Sequence, residues 1–149
     1  MEYCLRRAVA ADFYAINRLF VEMLKSIYEK DDVQGYADGD LDYYFSGGED
    51  WICVAESDGG VIGFLAIEVH REQQDYIYYD DFCVTESQRG NGVGAALMHE
   101  AERYCKSLGF DTVALHVEKH NALARRFYGN RGFTTIRDDG ARLCLVKHI

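Results

Sequence analysis

An α+β fold, with helices covering the faces of a mixed-polarity sheet, is expected from this sequence on three grounds. Strand-like runs stand both before and after helical stretches. Two of them, separated by Asp58-Gly59-Gly60, read as a hairpin in the middle of the chain. A third passes into a helix through a glycine-rich loop.

The first strand is short, residues 3–7. After Ala10-Ala11-Asp12 the apolar positions Ile16, Phe20, Met23, Leu24 and Ile27 recur at helical spacing, predicting one amphipathic helix, whole or split in two. Trp51–Glu56 and Val61–Val69 are the hairpin strands. Tyr76–Val84 is rich in aromatic and β-branched residues, as a strand requires, and leads to Gln88-Arg-Gly-Asn-Gly-Val-Gly94. Beyond Gly94 the residues Leu97, Ala101, Tyr104 and Leu108 fall on one helical stripe, which Gly109 ends as a left-handed cap. Asp111–Val117 is a strand, and Asn121 caps a short helix running through Tyr128 and stopping near Gly132. Two closing strands, Phe133–Arg137 and Arg142–Lys147, flank the turn Asp138-Asp139-Gly140.

At 149 residues the chain has one domain's length, enough to bury roughly two-thirds of its unfolded surface in one core. Its 48% hydrophobic and 28% charged residues describe an ordinary globular protein that needs no cofactor to hold it together. A formal charge of −9 opposes duplex DNA or an anionic membrane as partner and favours cationic ligands. Most of that charge is local. Between Tyr28 and Asp50 eight acids and one base give a net −7, with Tyr28, Tyr36, Tyr43 and Tyr44 interleaved. The longest uncharged apolar run, Val61–Ile67, is far short of the ~20 residues of a membrane helix. The first residues lack a secretory h-region, so a cytoplasmic address is expected. Cys4, Cys53, Cys83, Cys105 and Cys144 show no Cys-x-x-Cys pattern and read as reduced thiols, mostly core filler.

The stretch Gln88–Ala95 carries the most chemistry. Alternating glycines leave little side chain over the backbone amides, a helix begins there with its positive dipole end, and Arg89 adds formal charge. Such a loop can receive phosphate, although a ligand-free glycine turn has the same spacing. Gly-x-x-x-x-Gly-Lys-Ser/Thr is absent. The dinucleotide pattern Gly-x-Gly-x-x-Gly fits only if Ala95 replaces its third glycine, and the loop follows a hairpin rather than an opening βαβ unit.

The run Gln88-Arg89-Gly90-Asn91-Gly92-Val93-Gly94 resembles the Gln/Arg-x-x-Gly-x-Gly/Ala acetyl-CoA signature of the GCN5-related N-acetyltransferase (GNAT) family. The strand Asp80-Asp81-Phe82-Cys83-Val84 and the segment Asn121–Phe133 also resemble that family, in the right order, most like its small diamine or polyamine acetyltransferases. The resemblance implies a mostly antiparallel central sheet of about six to seven strands with about four helices. It implies one N-acetyltransferase domain over residues 1–149, acetyl-CoA as co-substrate without a metal, and a small amine as acceptor. A homodimer, frequent in such families, is an expected assembly. The implied cofactor contacts are Phe82, Cys83, Val84, Gln88, Arg89, Gly90, Asn91, Gly92, Val93, Gly94, Ala95, Asn121 and Tyr128.

Acetyl transfer to an alkylammonium with a pKa near ~10.4 needs a carboxylate that helps remove a proton. By position the resemblance makes Asp80 the first candidate and Asp81 the second; as strand neighbours they are expected on opposite faces, so that without a bulge only one enters a cleft. The resemblance makes Tyr128 the acid for the leaving thiolate, a core aromatic being the other reading, and makes the Val84 amide a donor to the acetyl carbonyl. Asn121 would meet the pantetheine arm or simply cap its helix. His116 and His120 are four apart but a strand ends between them, so no metal is expected. Cys83 has no histidine near it in sequence, which favours direct transfer over an acyl-enzyme. The acidic, tyrosine-rich 28–50 stretch suits a cationic acceptor, with a protein N-terminus or lysine as competitor. A non-catalytic acyl-CoA-binding sensor or partner domain is the reading from another class, and a nicotinamide enzyme a distant third.

Overall fold

The apolar run Val61–Ile67 becomes the middle of the sheet, buried on both faces, as a continuous hydrophobic strand should be. The computed structural model describes residues 2–149. Its strands are β1 (Tyr3–Arg7), β2 (Trp51–Ser57), β3 (Gly60–His70), β4 (Tyr76–Val84), β5 (Thr112–Glu118), β6 (Thr134–Asp138) and β7 (Arg142–His148); its helices are α1 (Phe13–Tyr28), α2 (Asp42–Phe45), α3 (Val93–Ser107) and α4 (Ala122–Asn130). They form a seven-stranded sheet in the order β1-β2-β3-β4-β5-β7-β6. Every pairing is antiparallel except β4 with β5.

Strand alternation sorts the core into two layers. Ile52, Val54, Phe64, Ala66 and Cys83 meet Ile16 and Leu19 of α1 and Tyr44 of α2 on one face. Cys53, Leu65, Ile67, Ile77, Tyr79, Val113 and Leu115 meet Leu97, Met98, Ala101 and Cys105 of α3 and Tyr128 of α4 on the other. The first helix is unbroken and ends at Glu29 with φ 53°; α2 is a separate single turn inside the acidic stretch. Cys4 is exposed and the other four thiols are buried. Among the described residues no helix is long and apolar enough to cross a membrane.

One polar knot ties the first strand to the helix that follows. Arg6 donates to Asp12 (2.8 and 2.9 Å) and to Glu56 (3.1 and 3.2 Å), and Asp12 also accepts from the Val9 amide at 2.8 Å. The Arg6 hydrogen bonds hold the Asp12 carboxyl below its ordinary pKa. Arg6→Ala leaves the buried Asp12 carboxylate without its partner and is expected to lower stability by about 1–3 kcal/mol, read from denaturant unfolding. The depressed Asp12 carboxyl gives the sign with pH: the contribution is full above the unfolded carboxylate pKa and fades as pH falls through the folded one.

Candidate active site

The β3–β4 register sets Leu65 opposite Phe82 and Ile67 opposite Tyr79, so Asp80 and Asp81 together face the single residue Ala66. This β-bulge corrects the expectation from plain alternation that the two aspartates point to opposite sides of the sheet. Both turn to the α1–α2 face. The Tyr44 hydroxyl lies 3.3 Å from Asp80 Oδ2 and 3.2 Å from Glu68 Oε2, and the Tyr36 hydroxyl donates to Asp81. Tyr43 adds a hydroxyl 3.2 Å from Glu68 Oε2.

Three carboxylates in one recess cannot all be hydrated. Loss of water, then the charges of Asp81 and Glu68, push the Asp80 carboxyl up to about 6. Burial also raises Asp81, against the hydrogen bond from Tyr36 that lowers it. Asp80 is the more open of the two, its residue surface still reaching solvent. Arg142 at the start of β7 tempers both carboxyls with its charge.

The bulge coincides with the place where β4 and β5 part. Their parallel pairing covers only Ile77–Tyr79 against Val113–Leu115, although β4 continues to Val84 and β5 to Glu118. A gap therefore opens at the carboxyl ends of this parallel pair, the position where open α/β sheets receive ligands. Thr85 N–H donates to Ile62 O at 2.9 Å. Since hydrogen-bonded and free pairs alternate in an antiparallel ladder, the Val84 amide turns away from β3 and into that gap. The Val84 carbonyl is taken by Arg89 Nε at 3.1 Å.

The glycine loop closes the same end. Gly90 and Gly92 have φ of 84° and 81°, and a Cβ on either would meet nothing within 4 Å. Gly92 caps α3, and with Ala96 N–H as the first amide bonded back to it, those of Val93, Gly94 and Ala95 have no intrahelical partner. An anion placed there meets bare amides and the helix dipole. Gly94 departs from the expectation that all three glycines bare the backbone. Its Cβ position lies 3.2 Å from the Phe82 ring and 3.4 Å from Phe127, so its smallness serves packing. Val93 is buried and can offer only its amide. Gln88 accepts from Asn91 Nδ2 at 3.2 Å, which ties the loop across its base. Glu22 of α1 anchors that base, accepting from Thr85 Oγ1 at 3.0 Å and the Glu86 amide at 2.8 Å.

The other expected residues fall around the gap unevenly. Phe82 lines the α3–α4 side, its ring 6.3 Å from that of Tyr128. Tyr128 is 8% exposed and also packs on Phe127 and Phe133, whereas Leu123 of the same helix is 74% exposed. Burial first, then the charges of Cys83 and Asp81, raise the Tyr128 phenol well above its usual range. Cys83 points its thiol the opposite way, towards Met23 Sδ at 3.3 Å. Asn121 uses Oδ1 to accept the Ala124 amide at 3.2 Å, a helix cap. His120 bonds the Ile27 carbonyl at 2.9 Å and does not meet His116.

The 28–50 stretch contributes to the recess through its rings rather than its acids. Asp31, Asp32, Asp38, Asp40 and Asp42 are exposed, whereas Tyr36 and Tyr44 reach the aspartates, Tyr36 held by stacking on Phe20 at 4.0 Å. The third carboxylate, Glu68, comes from β3 and was not among the expected residues. Its only sequence sign is a lone acid at the end of an apolar strand.

The profile of the acetyltransferase (GNAT) family matches residues 8–133. An uncharacterized N-acetyltransferase of Archaeoglobus fulgidus is 29% identical over 136 residues, 85% of this chain and 90% of that protein. The uncharacterized N-acetyltransferase YycN of Bacillus subtilis is 33% identical over 76 residues, 49% of this chain and 47% of that protein, so the match spans about half of it. The fold is shared with the PaiA N-acetyltransferase of Thermoplasma acidophilum in complex with coenzyme A, with a TM-score of 0.83, 18% identity and 100% of both chains covered.

Proposed function

The chain belongs to the GNAT family of acetyltransferases and uses acetyl-CoA as its acyl donor, and from that premise we propose that it acetylates a small cationic amine or polyamine by direct transfer. One observation carries the choice of acceptor: the bulge turns Asp80 and Asp81 together into a recess that Glu68 and the hydroxyls of Tyr36, Tyr43 and Tyr44 complete. Carboxylates draw in an ammonium, and the tyrosine faces add cation–π attraction. More than one carboxylate suits an acceptor with more than one positive charge.

In this reading Asp80 takes one proton from the ammonium. A carboxyl with a pKa of about 6 is mostly ionised at neutral pH, yet basic enough to hold that proton briefly. The freed nitrogen lone pair forms the N–C bond, and the Val84 amide donates to the carbonyl oxygen as it gains charge. The C–S bond then breaks with its electron pair on sulfur. Tyr128 holds its own proton tightly and steadies the thiolate by donating a hydrogen bond, while the second amine proton completes the thiol. Amide and CoA thiol leave, and one proton remains to be returned to solvent.

Initial rates of CoA release with spermidine, an aminoglycoside and a lysine peptide test the acceptor. Spermidine is expected to give the highest kcat/KM, by about tenfold or more, each extra tenfold corresponding to ~1.4 kcal/mol of transition-state binding. A preference for the peptide would move the assignment to protein acetylation. A preference for neutral or acidic amines would remove the charge argument.

A further inference from the structure

From Lys30 to Leu41 the chain between α1 and α2 forms neither strand nor helix, yet it holds a hydroxyl against Asp81. Among the described residues, the hydrogen bonds of residues 30–36 all belong to Tyr36. Its amide donates to Asn17 Oδ1 at 2.7 Å, and its ring stacks on Phe20 with centroids 4.0 Å apart and planes 14° from parallel. Asn17 and Phe20 stand three residues apart on α1, so they lie on one face of the helix. A single turn of α1 therefore grips both the backbone and the ring of Tyr36, the residue that reaches into the recess.

Gly35 shows how closely the segment is pressed onto that turn. A Cβ at this position would lie 2.2 Å from Asn17 Oδ1 and 2.8 Å from Val21 Cγ2, and no other described glycine is so tightly confined. Its φ lies outside the left-handed region, so space rather than backbone conformation calls for glycine. An added methyl would push the Asn17 carboxamide off the Tyr36 amide. Asn17 Nδ2 makes no hydrogen bond among the described residues, which leaves the bond to Tyr36 as the polar contact of this side chain. At the other end of Tyr36, burial first and then the Asp81 charge hold the phenol above its ordinary range, so its proton stays on oxygen and is given to Asp81. Asp81 is thereby engaged, and Asp80 remains the more open carboxylate.

We propose that Asn17 is a positioning residue for the acceptor: by fixing Tyr36 it fixes one wall of the recess and the orientation of Asp81, and so sets how tightly the amine binds. This rests on the acetyl-transfer reading above and extends it to a side chain that acts only through Tyr36. An irregular segment of this length samples many arrangements unless it is tied down. Each arrangement in which Tyr36 leaves Asp81 lowers the fraction of protein competent to bind the amine, and the apparent affinity falls by that fraction. None of the contacts of Asn17, Gly35 and Tyr36 involves the glycine loop, so acetyl-CoA binding is independent of them.

Initial rates of CoA release, with spermidine varied at saturating acetyl-CoA and acetyl-CoA varied at saturating spermidine, test this in the native protein, Asn17→Ala, Asn17→Asp and Gly35→Ala. Asn17→Ala and Gly35→Ala are expected to raise KM for spermidine about tenfold, to lower kcat by less than about threefold, and to leave KM for acetyl-CoA unchanged. Asn17→Asp keeps the accepting oxygen and is expected to restore a near-native KM for spermidine. A native KM for spermidine in both alanine variants, a KM for acetyl-CoA raised as far as that for spermidine, or an Asn17→Asp protein as impaired as Asn17→Ala would overturn the role of Asn17. If Gly35→Ala does not fold, the two Asn17 variants carry the test. A native protein that releases no CoA with spermidine or any other amine overturns the acetyl-transfer reading and the role of Asn17 with it; native turnover beside variants of unchanged KM overturns the role of Asn17 alone.

Discussion

Asp80→Asn is expected to lower kcat for amine acetylation on the order of a hundredfold or more at neutral pH while acetyl-CoA still binds. Asparagine keeps the volume and can still accept from Tyr44, but it cannot take a proton. The pH dependence carries the sign. Asp80 is ionised above its pKa of about 6, so the native rate falls as pH drops through that value. The variant loses that inflection, keeping only the rise due to the amine itself. Thiol release followed across pH, with Asp81→Asn in parallel, separates the two carboxylates. Asp81 is tied to Tyr36 and more enclosed, so its variant should raise KM for the amine more than it lowers kcat. A native rate in Asp80→Asn, with the loss carried by Asp81→Asn, would transfer the role of base to Asp81.

Gly92→Val is expected to raise KM for acetyl-CoA more than tenfold and to abolish the thermal stabilisation that acetyl-CoA gives the native protein. Gly92 sits at φ 81°, where a side chain costs about 1–2 kcal/mol, and a Cβ there meets no protein atom within 4 Å. The branched side chain would therefore project into open space over the amides that begin α3. Gly94→Ala makes a contrasting control, since its methyl presses on Phe82 and Phe127 and acts through packing. Thermal unfolding with and without acetyl-CoA reads both, and a normal ligand shift in Gly92→Val would show that the loop does not hold the cofactor.

The elements that local pattern controls were legible. The stripe Leu97, Ala101, Tyr104, Leu108 is α3, the glycine run before it caps that helix, and every expected strand is present with ends moved by about one residue. What failed depended on partners distant in sequence. The bulge is visible only against the register of β3, since nothing in Asp80-Asp81 itself says that both face Ala66. Glu68 joins the aspartates because β3 and β4 are antiparallel neighbours, and the acids of 28–50 miss the recess because the chain there lies over the sheet with Tyr36 and Tyr44 inward. The partner of His116 is Asp139, on the far side of a helix and a strand, rather than His120 four residues on.

A crystal structure with CoA bound tests the central geometry most directly. The pyrophosphate is expected within hydrogen-bond distance of the amides between Gly90 and Ala95, with the sulfur in the gap between β4 and β5, near the Val84 amide and on the same side as Asp80. CoA bound elsewhere, or a sulfur separated from Asp80 by the sheet, would contradict it.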